Sequence, residues 1–292
     1  MRIFLTLFQK EWLEAWRDKK LIWLPIVMII LAVSQPISYY YMEDILAVAG
    51  NLPEGAVIDI PVPTGEEVLS SILSQFDLIG IAIVILSVMG AISNERNSGA
   101  LSLVMARPVQ PLQYIASKWL VQALILIMSF GVGYLFAYYY VVLLFNEVPF
   151  TRLLISFAIY CLWIIFAMTL TIFVGTWINK TGGIAGVSLM IVAALYLSNS
   201  IFPKFMKWNP ANASRETNYL LVTGNFGDSL YLMVITSCLL ILILVVLAAL
   251  RNIIKKQAER FRCLLSLVDF GIVMQRFITY ADNCFTLFVF VL

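Results

Sequence analysis

Six long apolar stretches, free of charge apart from Asp77 toward the edge of the second, are separated by short blocks in which the polar and charged residues collect. They run at about 21–42, 72–93, 119–145, 153–178, 183–202 and 229–250. The hydrocarbon core of a bilayer takes about 20 helical residues, so each stretch predicts a membrane-crossing helix. The second reaches that length only when Ile72, Leu73 and Phe76 are counted into it, which leaves Asp77 near the interface. Pro25 and Pro36 fall near the ends of the first stretch, where a spanning helix tolerates them. The pattern is that of an all-α polytopic membrane protein with six transmembrane helices. Composition agrees: 62% of the 292 residues are hydrophobic and 12% are charged, against about one quarter charged in ordinary soluble chains. A water-soluble enzyme is excluded.

The segment before the first span has a different period. Leu5, Phe8, Trp12 and Trp16 recur at helical spacing, while Gln9, Lys10, Glu14 and Arg17 fall largely elsewhere around the helix. This predicts an N-terminal amphipathic helix lying on the membrane surface. Arg2, Lys10, Arg17, Lys19 and Lys20 precede the first span, whereas residues 43–77 hold Glu43, Asp44, Glu54, Asp59, Glu66, Glu67 and Asp77 and no base. Basic residues stay on the inner side, so the N-terminus is expected in the cytoplasm of a bacterial cell (plasma) membrane. Parity then puts residues 94–118, Lys180 and the block from Arg251 to Arg262 inside. The loop at 203–228 falls outside despite Lys204, Lys207 and Arg215. Ala47-Val48-Ala49 has the form of a signal-cleavage site, but the apolar run before it is too long for a signal peptide and Glu43 and Asp44 intervene. The first span is therefore expected to be retained. One permease domain is expected over 1–262. The tail, 263–292, is apolar but broken by Asp269, Arg276 and Asp282, which argues against a seventh span.

Candidate chemistry is sparse. There is no histidine, and Cys161, Cys238, Cys263 and Cys284 have no metal-binding or redox spacing. Neither a phosphate-binding G-x-x-x-x-G-K-[ST] loop nor a hydrolase motif is present, so no catalytic, cofactor-binding or metal residues are assigned. Two stretches stand out. Between spans two and three, Leu101, Val104 and Met105 lie at i, i+3 and i+4 and form an apolar knob, with Glu95, Arg96 and Arg107 around it. Pro108 ends that short helix and Pro111 suits the first turn of the next. At the far end of span five, Ser198, Asn199 and Ser200 form a polar cluster that suits the lining of a translocation path, with Pro203, Trp208 and Pro210 following.

The run Glu95-Arg96-Asn97-Ser98-Gly99-Ala100-Leu101, with Arg107-Pro108-Val109 and Lys118 after it, resembles the coupling-helix region of permease subunits of type-2 ABC exporters. The likeness covers about residues 1–260, and the tail and the acidic first outer loop depart from it. It implies a transmembrane subunit of an ATP-driven exporter, with a cytoplasmic coupling helix between spans two and three. Glu95, Arg96, Gly99, Leu101, Val104, Met105 and Arg107 would then dock the partner. The implied partners are an ATP-binding cassette ATPase that carries ATP and Mg, a second permease copy or related permease, and membrane lipid, with no nucleic acid. The chain itself would be no enzyme. A secondary, ion-coupled transporter is the alternative, and an intramembrane enzyme is a more distant one. Proton-driven carriers generally need ionisable groups at membrane depth, and the six predicted spans offer none.

Overall fold

A computed structural model describes residues 2–42, 63–99 and 110–266. Within these residues the fold is all helical. In chain order the elements are α1 (Arg2–Arg17), α2 (Lys20–Tyr40), α3 (Gly65–Gln75), a π-helical turn (Phe76–Gly80), α4 (Ile81–Val88), α5 (Gly90–Asn97), α6 (Pro111–Leu144), α7 (Phe150–Trp177), α8 (Thr181–Ile201), α9 (Asn212–Thr223) and α10 (Leu230–Ser266). Six helices are long and apolar enough to cross a membrane, with α3 to α5 acting together as the second of them, Gly65–Asn97. Helices are the natural solution here because each backbone donor and acceptor must be satisfied within its own segment once water is excluded.

The observed spans outrun the expected ones where polar residues continue the helix. The second span starts at Gly65 because Thr64 and Glu67 form a capping box: the Thr64 hydroxyl accepts from the Glu67 N–H, and the Glu67 carboxylate accepts from the Thr64 N–H at 2.9 Å. Asp77 therefore sits inside a helix, in the π turn, and not at its end. The third span begins at Pro111, which occupies the first helical turn as expected and carries Lys118 into the helix. The last helix runs on without a break to Ser266, past the expected domain limit at 262, and residues 267–292 lie outside the described residues.

The central helix is α7, which packs on α4, α5, α6, α8, α9 and α10, while α2 lies along α6 and α1 rests on the start of α6. Around α7 the core is aromatic. Phe130 stacks with Phe157 and Tyr134 at 5.5 Å and meets Phe76 edge-on at 5.2 Å. Such pairs add about 0.5–1.5 kcal/mol each beyond the area they bury. Polar side chains join the same helices: Trp119 Nε1 donates to Thr169 Oγ1 at 2.7 Å, and the Tyr134 and Ser156 hydroxyls lie 2.8 Å apart.

Lipid is as apolar as leucine, so helices in a bilayer associate through close backbone approach at small residues. Gly133 on α6 is such a point, since a Cβ there would stand 2.9 Å from the Met28 carbonyl oxygen of α2. Gly133→Val is expected to force α2 from α6 and to lower stability by about 1–3 kcal/mol, as overpacking does. Gly186→Val on α8, where a Cβ meets nothing within 4 Å, should leave the midpoint unchanged. Thermal unfolding of both variants in detergent checks the pair.

Candidate functional site

The main polar centre lies at the end of the bundle that carries α1, where three elements distant in sequence converge. On α1, Leu7, Glu11 and Ala15 share one face at four-residue spacing, and this face turns inward onto the protein. The apolar positions read from the sequence fall elsewhere: Leu5 and Trp16 are exposed, and Phe8 and Trp12 are half-buried. The inward face meets Glu95 at the end of α5 and Lys118 in the second turn of α6. Exposure is 5% for Glu11, 4% for Glu95 and 1% for Lys118.

A lone buried charge costs several kcal/mol, so these residues persist only as a paired set. The Lys118 ammonium donates to both oxygens of Glu11, at 2.8 and 2.9 Å, and lies 3.1 Å from Glu95 Oε1. Lys10 bonds Glu95 directly and reaches Glu11 at 3.1 Å and Glu14 at 3.2 Å. The Tyr114 hydroxyl donates to the other Glu95 oxygen. Glu95 thus has both oxygens held, one by the two ammonium groups and one by a phenol. Three carboxylates of Glu11, Glu14 and Glu95 come close enough to one another to hold a metal ion. The Lys10 and Lys118 ammonium groups already stand where such an ion would neutralise them, so the donor set does not fit a metal.

Arg96 faces the other way. Its guanidinium donates to the Ile178, Gly175 and Thr176 carbonyls at 3.2–3.3 Å and to Asn179 Oδ1 at 2.5 Å. These are carbonyls left open at the C-terminus of α7, where a cation also suits the helix dipole. Gly99 closes α5 with φ +74°, the left-handed conformation that glycine adopts most easily after a helix. Leu101, Val104, Met105 and Arg107 lie outside the described residues, between this end of α5 and the start of α6. Of the residues singled out in the sequence, Glu95 and Arg96 are therefore placed as fasteners of helix ends. Ser198, Asn199 and Ser200 occupy successive positions near the end of α8, where Ser198 is half-buried, Asn199 buried and Ser200 exposed.

Sequence reasoning missed Lys10, Glu11 and Tyr114 as partners of Glu95, and it missed a second centre at Asp77. There the Tyr160 hydroxyl of α7 donates to Asp77 Oδ1 at 3.0 Å, and Ser214 of α9 and Trp163 of α7 complete the polar surroundings. Tyr160 is ten residues into α7, so at 1.5 Å per residue this carboxylate lies about 15 Å below the far end of that helix. The second span accordingly does carry an ionisable group. The signal available in the sequence was the capping box at Thr64, which moves the start of the helix outward and draws Asp77 into it.

Six helices long and apolar enough to cross a membrane, joined among the described residues by polar groups that fasten helix to helix, define a polytopic membrane protein. The chain belongs to the ABC-2 family of transporter proteins, whose description, "ABC-2 family transporter protein", matches residues 5–252. It is also 46% identical over 228 residues to "Uncharacterized transmembrane protein YxlG" of Bacillus subtilis (strain 168), an alignment covering 78% of this chain and 88% of that protein. Membership places the chain among non-catalytic transport permeases of lipid membranes and implies an ATPase subunit as partner.

The buried charges make a quantitative expectation. Lys118→Met strips Glu11 and Glu95 of their most buried counter-ion and should destabilise the protein by about 3–5 kcal/mol. Adding Glu11→Gln to it should recover part of that loss, so the double variant falls short of the sum of the singles. A double-mutant cycle of chemical unfolding in mixed micelles measures the difference; strict additivity would mean that the two side chains are not coupled.

Proposed function

We propose that this chain is the transmembrane subunit of an ATP-driven exporter and that the ion-paired junction of α1, α5 and α6 carries movement from a separate ATPase into the spans. The observation that carries the reading is the position of that junction. Glu95 and Lys118 flank residues 100–109 in the chain, the segment that resembles the coupling helix, and both are ion-paired to α1. In this reading Leu101, Val104, Met105 and Arg107 meet the ATPase, Gly99 ends the stalk before them, and Glu95 and Arg96 fix the helices that receive the push. The N-terminus then lies in the cytoplasm, with α1 as an amphipathic helix along the inner leaflet, its exposed Leu5 and Trp16 toward lipid. ATP and Mg belong to the partner, two permease copies or related permeases pair in the membrane, and Ser198, Asn199 and Ser200 stay candidates for the exit.

Asp77 favours a second reading, ion-coupled transport, because a carboxylate within a span offers a carrier the titratable group that the predicted spans lacked. The two readings part in everted vesicles: the exporter stops when ATP is removed, and the ion-coupled carrier continues on a gradient alone.

Docking is tested at Leu101. Leu101→Asp is expected to remove most of the permease-stimulated ATP hydrolysis of the co-purified complex while the thermal midpoint of the permease stays within about 2 °C of the parent, since in this reading Leu101 serves the ATPase contact and not the permease core. A cysteine at Ser102 should cross-link to the ATPase. Full stimulation with Leu101→Asp, and no cross-link from Ser102→Cys, would remove the docking assignment.

A further inference from the structure

At the end of the bundle opposite α1, an open groove of about 510 Å³ lies between α2 and α3. The two helices are tied beside it by Gln75, whose Nε2 donates to Ser34 Oγ at 3.2 Å. Glu67, Ser70, Ser71 and Ser74 line the groove from α3, and Gln35 and Tyr39 line it from α2. Leu78 and Ile79 of the π turn stand at its inner end and are exposed, Leu78 to 77%. Glu67 and Ser74 are exposed as well. The positions on α3 recur at three- and four-residue spacing, so they share one helix face. The second span, Gly65–Asn97, has 33 residues. That makes it about 50 Å long, against about 30 Å of hydrocarbon, so its first turn stands among the headgroups. Leu78, eleven residues beyond Glu67, lies about 16 Å deeper along the helix.

The groove is rich in acceptors and poor in donors. A serine hydroxyl has one hydrogen to give and two lone pairs to receive. Ser71 Oγ already donates to the Val68 carbonyl at 2.7 Å, and Ser74 Oγ to the Ser70 carbonyl at 3.1 Å. Their hydrogens are committed to the helix backbone, and their oxygens remain as acceptors. Ser74 Oγ receives one bond, from Asn218 Nδ2 at 3.3 Å, and keeps a lone pair. Glu67 Oε2 accepts from the Thr64 N–H, which uses one of the four or so acceptor sites of a carboxylate. No Lys or Arg lines the groove, so its single formal charge is negative. The surface therefore asks for one cation with N–H donors at the Glu67 end and an apolar body at the Leu78 end.

We infer that this groove binds a monocationic amphiphile whose head is a protonated primary or secondary amine. The ammonium sits on Glu67 and on the serines one turn further along α3, which are its neighbours at i+3 and i+4. The apolar tail follows α3 inward to Leu78 and Ile79. A primary ammonium brings three donors to this row of acceptors, and its bond to the carboxylate is charge-assisted. A quaternary amine has the charge without the donors, and an alcohol has no charge. A phosphate in the head would find no cation to answer it. The assignment concerns binding alone and holds however transport is energised.

The test places the full chain in phosphatidylcholine nanodiscs and measures binding of tritiated decylamine, with empty nanodiscs subtracted to remove partition into lipid. Saturable binding is expected, and decyltrimethylammonium, decanol and decyl sulfate should each compete about tenfold more weakly than unlabelled decylamine, or worse. Glu67→Gln should lower the affinity about tenfold, the effect of losing one charged hydrogen bond, while glutamine still serves the capping box. Ser74→Leu should abolish binding by filling the groove. Both positions are exposed, so both variants fold. Binding that does not saturate, equal competition by decyltrimethylammonium, decanol or decyl sulfate, or unchanged binding in either variant overturns the proposal. Nanodiscs that contain phosphatidylethanolamine should retain the site; its loss there would assign the groove to a resident lipid and overturn the assignment to a free amphiphile.

Discussion

The placement of Lys118 constrains everything at the α1 end of the molecule. An ammonium that is almost wholly buried in a bundle of apolar helices requires counter-charge within about 3 Å, or it would be driven to neutralise or to unfold its surroundings. No acid close to it in the chain could supply that charge from the same helix, because α6 holds no Asp or Glu. The carboxylates come instead from Glu11, 107 residues earlier, and from Glu95 at the end of the second span. The demand of one buried cation thus fixes α1 onto the helix bundle and draws the end of the second span against the start of the third. The position of α1 is a consequence of electrostatics as much as of its apolar residues.

The same rule operates on backbone groups. A helix that ends within or beside a bilayer leaves carbonyls without donors, and the structure supplies them from arginine at both ends of the bundle. Arg96 takes up the open carbonyls at the end of α7. At the opposite end Arg152 donates to the Leu221 carbonyl near the end of α9 at 3.2 Å and lies 3.6 Å from Glu66. Arginine serves because its planar fork offers several donors at once and keeps its charge in any surroundings. Each arginine also links helices that are not neighbours in sequence, so satisfying a helix terminus doubles as tertiary fixation.

These causes explain how far the sequence could be read. The six spans were legible because crossing a bilayer is a property of one segment at a time: length and absence of charge decide it. Pro111 at the start of α6 was legible for the same reason, being a local steric preference. The Thr64–Glu67 capping box was equally local and went unread, which is why the second span seemed to begin inside hydrocarbon at Ile72 and Asp77 seemed to lie at its edge. The partners of Glu95 were not legible at all. A pair such as Lys10 with Glu95, 85 residues apart, has no signature in either neighbourhood. On α1 the aromatic period from Leu5 to Trp16 was read as the apolar stripe, and the true inward face, Leu7, Glu11 and Ala15, has an acid at its centre that hydropathy counts as solvent-facing.

The two ends of the bundle differ in how completely their charges are answered. In the junction of α1, α5 and α6, Glu11 and Glu95 each touch both ammonium groups, and Lys10 touches three carboxylates. Lengthening any one contact leaves Lys10, Lys118, Glu11 and Glu95 each with another partner, so the buried part of the junction tolerates small displacements without exposing a bare ion. At the opposite end Glu216 is buried with one oxygen on the Ser229 hydroxyl, and Arg215 and Lys207 face solvent.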